Sequence, residues 1–192
     1  MNDTQTRLLT ILNSYGDIVE LDYKFNVPSI IEELEYCNNW LDGSNNKKGL
    51  TLTGSLIDHE FNSSNDFHLN DNLMKCPSLI DFFELWDGLA KCHAVNMNSG
   101  SFFRLHRDAY KTTQQVRIFL PLNHTEPHEF AFIYENNIHE FKAGRAYLLN
   151  TKKPHGSFAM VDGIYHILLG VNVNPHNFKV ITKLLPNCID HE

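Results

Sequence analysis

The chain has 192 residues, with 42% hydrophobic and 20% charged side chains and a formal net charge of −7. That length suits one domain with a sizeable core and is short for two, and the composition excludes a disordered or fibrous chain. The acidic balance, with Lys47-Lys48 and Lys152-Lys153 as isolated basic pairs, argues against nucleic acid as the partner, because binding to phosphates rests on clustered Lys and Arg.

The N-terminus MNDTQTRLLTILNSYGD lacks the cationic start and apolar run of a signal peptide, and no apolar stretch is long enough to span a bilayer. A cytoplasmic protein without a membrane partner is expected. Four cysteines, Cys37, Cys76, Cys92 and Cys188, show no C-x-x-C spacing, so reduced thiols are expected rather than a zinc knuckle or a disulfide framework.

Apolar residues at helical spacing predict a helix over 6–15, stopped at Gly16. IVELDYKF alternates as a strand, and Pro28-Ser29 opens a helix in SIIEELEYC. WLDGSNNKKG reads as turn, LTLTGSLI as a strand and EFNSSNDFHLNDN as a loop. SLIDFFELWDGL (78–89) carries a wide apolar helical face and ends near Gly88, and Trp40 and Trp86 are expected in the core.

From residue 91 the texture becomes β-rich. KCHAVNMN, SFFRLH, QVRIFLPLN, EFAFIYE, IHEFK, RAYLLN and IYHILLGVNV follow one another, divided by turns such as Asn98-Ser99-Gly100, Asn136-Asn137 and Ala143-Gly144. Such closely spaced short strands predict a sandwich or small barrel. A helix, HNFKVITKLL, follows Pro175. One domain is expected: mixed helical support over 1–90, a β core over 91–173 and a C-terminal helix over 174–192.

FRLHRDAYKTTQQVR (103–117) holds a His-Arg-Asp triplet. A kinase catalytic loop would need Asn five residues after the Asp, where this chain has Thr113. The glycine-rich loop, the strand lysine and Asp-Phe-Gly are also missing from the sequence, which excludes a kinase. A metal site is the better reading. His and Asp one residue apart on a strand face the same side, and two His with one carboxylate on one face leave positions open for reaction at a ferrous ion. His106 and Asp108 meet that geometry. The second His would be His155, after RAYLLNTKKP, or His166, within IYHILLGV; His155 is favoured, with another role for His166. His124, His128 and His139 lie in turn or hairpin sequence and compete poorly.

His106-x-Asp108, QVRIFLPLN, EFKAGRAYLLNTKKPHGSF and IYHILLGVNV together resemble the core of the iron(II)- and 2-oxoglutarate-dependent oxygenases. Within them the chain is most similar to the aspartyl/asparaginyl β-hydroxylase-like group, with Arg117, Gly144 and His155 matching its pattern in order over roughly 91–173. The resemblance implies a mainly β fold with flanking helices and a double-stranded β-helix (jelly-roll, cupin-like) core. It also implies Fe(II) on His106, Asp108 and His155, with no catalytic residue beyond these ligands. The activity implied is a dioxygenase that consumes 2-oxoglutarate and molecular oxygen to hydroxylate an unactivated C–H bond, in an amino acid, an Asp/Asn-type side chain of a peptide or a small molecule.

The chain departs from the family at one point. An Arg commonly follows the distal His by one strand and pairs with the far carboxylate of 2-oxoglutarate, whereas GIYHILLG offers His166 or Tyr165. The carboxylate is therefore expected on Arg117, His166 or Tyr165. Arg117 needs an anionic partner if it faces the barrel interior and is a solvated edge residue if it faces out; His166 is a ligand-facing group or a core histidine. Asn96, Asn98 and Ser101 fit either a carboxylate contact or plain turn chemistry. Two rival functions share the β-rich half: a cupin-like metal or small-molecule binder without 2-oxoglutarate turnover, and a catalytically silent relative.

Overall fold

The computed structural model describes residues 3–54, 68–108 and 115–186, so most of the EFNSSNDFH loop, Thr113 and Cys188 lie outside the described residues. The first half forms α1 (Asp3–Tyr15), β1 (Ile18–Lys24), α2 (Val27–Tyr36), β2 (Leu41–Asp42), β3 (Lys47–Thr51), α3 (Asp71–Met74) and α4 (Pro77–Glu84). The second half forms β4 (Leu89–Met97), β5 (Phe102–His106), β6 (Gln115–Pro121), β7 (Phe130–Tyr134), β8 (Asn137–His139), β9 (Arg145–Leu149), β10 (His155–Ala159), β11 (Ile164–Asn172) and α5 (Pro175–Leu184).

The strands make two antiparallel sheets, one in the order β1-β9-β6-β11-β4-β3-β2 and one in the order β5-β10-β7-β8. This is the mainly β, helix-flanked jelly-roll core that the sequence suggested. Several features differ from the sequence reading: β2 and the start of β3 lie in WLDGSNNKKG, which reads as turn, α3 was not expected, and α4 ends at Glu84 rather than near Gly88. β1, β2 and β3 are members of the larger sheet rather than outlying support: β1 pairs with β9 and β3 with β4, which covers two edges that would otherwise stand open. β10, HGSFA, is a strand that the sequence reading left as a turn.

Each face of the larger sheet has its own core. Ile118, Leu120, Ile167 and Leu169 point outward and pack with Ile30, Leu34, Leu79, Phe82 and Ile181 of the helices. Val95, Met97, Phe119 and Ile164 point inward and meet Phe130, Phe132 and Phe141, which close the space between the sheets. Burying one such large apolar side chain is worth about 1.5–3 kcal/mol, so both faces of the central strands are committed to packing and read as nearly continuous apolar runs.

α2, α4 and α5 begin within a residue or two of their predicted starts, whereas α1 starts at Asp3, three residues before its predicted start. Proline occupies the first turn of α2, α4 and α5, and the Asn174 side chain accepts the Asn177 N–H at the start of α5. α1 stops at Gly16, whose φ of +103° favours glycine, and the Gly16 N–H donates to the Leu12 carbonyl. Cys37, Cys76 and Cys92 are buried free thiols. Among the described residues, no helix is long and apolar enough to cross a membrane.

Candidate metal centre

β5 and β10 lie side by side with His106 opposite His155 and Phe103 opposite Ser157. Arg104 and Leu105 of β5 therefore stand opposite Gly156 alone, which is a β-bulge. The bulge matters because Phe103 and His106 are an odd number of residues apart and would otherwise face opposite ways. With it, the Phe103 ring meets His166 inside the barrel while the His106 ring lies 4.4 Å from that of His155. Gly156 makes room for the bulge, since a Cβ there would stand 2.8 Å from the Phe103 carbonyl oxygen.

Asp108 lies beyond the end of β5, so strand alternation does not place it. Its backbone N–H donates to the Thr151 carbonyl at 2.9 Å, which carries the chain back across the turn before β10. One carboxylate oxygen then sits 3.4 Å from His106 Nε2, and the other faces Arg117 Nε at 3.5 Å. Arg107, between the two, is exposed.

His106, Asp108 and His155 each offer one ligand atom, and these atoms lie within 4.8 Å of one another. The donor set is the two-imidazole, one-carboxylate combination suited to a non-haem ferrous ion. The histidines are also in the right tautomer. His106 Nδ1 lies 2.7 Å from the Arg104 carbonyl and His155 Nδ1 lies 2.9 Å from the Lys153 carbonyl. A carbonyl only accepts, so each Nδ1 carries a proton and each Nε2 is the ring atom left to face the shared space. Burial holds the His155 imidazole below its ordinary pKa, which keeps it neutral as a ligand must be. His155 is buried while 39% of the His106 side chain stays exposed, so the cluster opens to solvent on the His106 side. The residues present fit a bound metal.

Arg117 faces the interior from β6 and is buried. Its Nη1 donates to the Lys91 carbonyl at 3.4 Å, and its guanidinium lies over Gly170 of β11, directly opposite it in register. A Cβ at Gly170 would come within 2.6 Å of Nη1, so only glycine leaves space for this cation beside Asp108.

His166 also faces the interior, ringed by Phe103, Phe119 and Phe130. Burial pushes its pKa down to about 3, and its Nδ1 has no hydrogen-bond partner among the described residues. It is a neutral group that bears no cation to an acid. Tyr165 faces the other way. It packs against Trp40 and sets its hydroxyl 3.4 Å from Glu35, on the helix side of the sheet. The structure thus brings His106, Asp108, His155 and Arg117 together, places His166 deeper on the same interior, and separates Tyr165 from all of them. Asn98 and Ser101 serve the turn before β5, where the Ser101 hydroxyl bonds the Asn98 N–H and the Asn46 carbonyl. Sequence reasoning missed Gly156, Gly170 and Thr151. A glycine inside an apolar strand is the available signal for Gly170; Gly156 sits in a stretch with little apolar character, and nothing marks a backbone carbonyl.

Solved structures with similar architecture carry related chemistry in their names. A 2OG-Fe(II) oxygenase family oxidoreductase from Burkholderia pseudomallei superposes with a TM-score of 0.59 at 12% identity, covering 88% of this chain and 91% of that one. A prolyl hydroxylase from Trichoplax adhaerens, solved with a hypoxia inducible factor peptide, gives 0.57 at 12% identity over 90% of each chain. The collagen prolyl hydroxylase of Paramecium Bursaria Chlorella virus-1, in its 2OG complex, gives 0.55 at 8% identity over 84% of this chain and 98% of that one. No family model and no curated protein sequence matches the chain. At such identities the likeness is one of fold: this chain has the jelly roll that these oxygenases use, with a His-Asp-His cluster inside it.

Proposed function

We propose that the chain is an Fe(II)- and 2-oxoglutarate-dependent dioxygenase that hydroxylates an unactivated C–H bond of an amino acid, free or within a peptide. The observation that carries this reading is the convergence of His106, Asp108 and His155 on one space, with both Nδ1 atoms turned away to backbone carbonyls. Bound iron and 2-oxoglutarate would supply the reaction in which oxygen converts the keto acid to succinate and carbon dioxide and a substrate C–H to C–OH. The chain's own residues orient and enclose. Arg104 and Lys153 carbonyls fix the two imidazoles, and Arg117 holds one Asp108 oxygen so that the other faces His106. Arg117 is the interior cation suited to the far carboxylate of the keto acid, and two of the five donors of a guanidinium already go to Asp108 and the Lys91 carbonyl. His166 would contribute a neutral hydrogen bond through Nδ1, and the Phe103, Phe119 and Phe130 rings exclude water around it. Tyr165 has no part in this reading. The Asp/Asn-type side chain suggested by the family resemblance and the peptides bound by prolyl hydroxylases both belong to the substrate class proposed.

The test is succinate formation from 2-oxoglutarate with Fe(II) and oxygen. The unaltered protein is expected to form succinate and the Asp108→Ala and His155→Ala variants to form none; succinate that persists in both variants contradicts the ligand assignment. One observation favours a second reading. His166 is neutral and buried where the family resemblance calls for an arginine, which suits a cupin-like metal or small-molecule binder without 2-oxoglutarate turnover. Metal binding without succinate release supports that alternative.

A further inference from the structure

The turn from Asn150 to Pro154, between β9 and β10, touches both halves of the metal cluster through its backbone. The Thr151 carbonyl accepts the Asp108 N–H, and the Lys153 carbonyl accepts the His155 Nδ1–H, each at 2.9 Å. Two of the three candidate ligands, Asp108 and His155, thus have their placement set by this one turn.

The turn is itself held from two directions. On the side of the larger sheet, Asp17 accepts from the Asn150 side chain at 2.8 Å, its backbone carbonyl accepts the Asn150 N–H at 2.8 Å, and its carboxylate pairs with Lys153 Nζ. On the side of the smaller sheet, Glu135 takes the same ammonium at 3.0 Å and donates its N–H to the Pro154 carbonyl at 2.9 Å. The Tyr134 hydroxyl donates to the Asn150 carbonyl at 2.8 Å. Lys153 is thus a bridge between a residue that precedes β1 and the hairpin that follows β7, and it spans the two sheets beside the metal cluster.

Half-exposed ion pairs of this kind contribute little to overall stability. Their geometric effect is larger, because a ligand displaced by a fraction of an ångström loses much of its function. We infer that Asp17 and Glu135, joined through Lys153, form a clamp that positions Asp108 and His155 for metal binding. These are positioning residues, since none of their side chains reaches the metal space. The inference rests on the proposed metal site.

Co(II) binding to the full chain tests it, with affinity read by chelator competition and geometry by the visible ligand-field bands. Asp17→Ala and Lys153→Met are expected to weaken Co(II) binding about tenfold, at the low end of the effect of partners around a metal ligand, and to shift the bands. Lys153→Arg, which still reaches both carboxylates, should restore both readouts. Melting of the metal-free variants is expected to stay close to that of the unaltered chain. Equal Co(II) affinity and unchanged bands in Asp17→Ala and Lys153→Met overturn the clamp, as does a loss that tracks only a drop in melting temperature. Failure of the unaltered protein to bind Co(II) removes the metal reading itself, and the clamp with it.

Discussion

His106 and His155 face each other across the β5–β10 ladder with ring centroids 4.4 Å apart, and each gives its Nδ1 proton to the carbonyl two residues before it. That shared arrangement turns two histidines distant in sequence into a matched pair of Nε2 donors. Asp108 completes the set only because the Thr151 carbonyl holds its backbone after β5 has ended.

Removal of a ligand should therefore abolish metal binding while leaving the fold. His106→Ala, Asp108→Ala and His155→Ala are each expected to lower Fe(II) or Mn(II) affinity by more than about 100-fold, beyond the effect of an outer partner. Calorimetric titration of the metal, with circular dichroism as the check on folding, measures this. Near-native affinity in any of the three places the site elsewhere.

Arg117 and Gly170 should behave as one unit. Gly170→Ala puts a methyl group where Arg117 Nη1 now lies, with the Ala90 Cβ 2.9 Å away on another side. Overpacking of this kind costs about 1–3 kcal/mol, which urea denaturation would show, and the displaced guanidinium would lose its place beside Asp108. Arg117→Met is expected to weaken 2-oxoglutarate binding about 10- to 100-fold, the worth of a charge-assisted hydrogen bond. Arg117→Lys should recover only part of it, because an ammonium lacks the planar fork. Unchanged keto-acid affinity in Arg117→Met would assign Arg117 to Asp108 alone.

Much of this was legible in the sequence, and the limits have physical causes. His106, His155 and Arg117 stand in segments whose spacing suggests a sandwich or small barrel and whose family resemblance implies a jelly roll, and their side chains do converge. The Asp108 position was argued from strand alternation, but β5 stops at His106, so Asp108 is placed by the Thr151 carbonyl instead; the bulge before His106, which resets its parity against Phe103, leaves no polar or apolar signature of its own. β10 escaped notice because HGSFA has only one large apolar residue, Phe158, which points outward. In GIYHILLG, alternation forces Tyr165 and His166 to opposite faces. Both faces of β11 are apolar, so the sequence offered no contrast to say which one faced the barrel.

Tyr165 and His166 can be told apart by experiment. Tyr165→Phe removes a hydroxyl directed at Glu35 on the helix side and should leave 2-oxoglutarate affinity unchanged within about twofold, with a stability cost of about 1 kcal/mol or less. A large loss of keto-acid binding in Tyr165→Phe would mean that this side chain reaches the interior after all.

His166 predicts a pH signature. Burial lowers its pKa to about 3 in the folded protein, while the unfolded chain takes up the proton near about 6.5. Between those values the unfolded state binds more protons, so the contribution is complete above about pH 6.5 and is lost as pH falls toward 3. Between pH 6 and pH 5 the unaltered chain should lose about 1 kcal/mol more stability than His166→Gln. Urea denaturation of both proteins at the two pH values measures the difference, and equal losses would show that His166 accepts its proton in the folded state.

The central claim is a ferrous ion and a keto acid held together inside this barrel. Anaerobic titration of the protein with Fe(II) and 2-oxoglutarate, followed by visible absorption, tests it most directly. The account predicts a weak metal-to-ligand charge-transfer band that appears only when both are present and is missing in His155→Ala. A protein that binds the metal yet shows no such band with 2-oxoglutarate would contradict it.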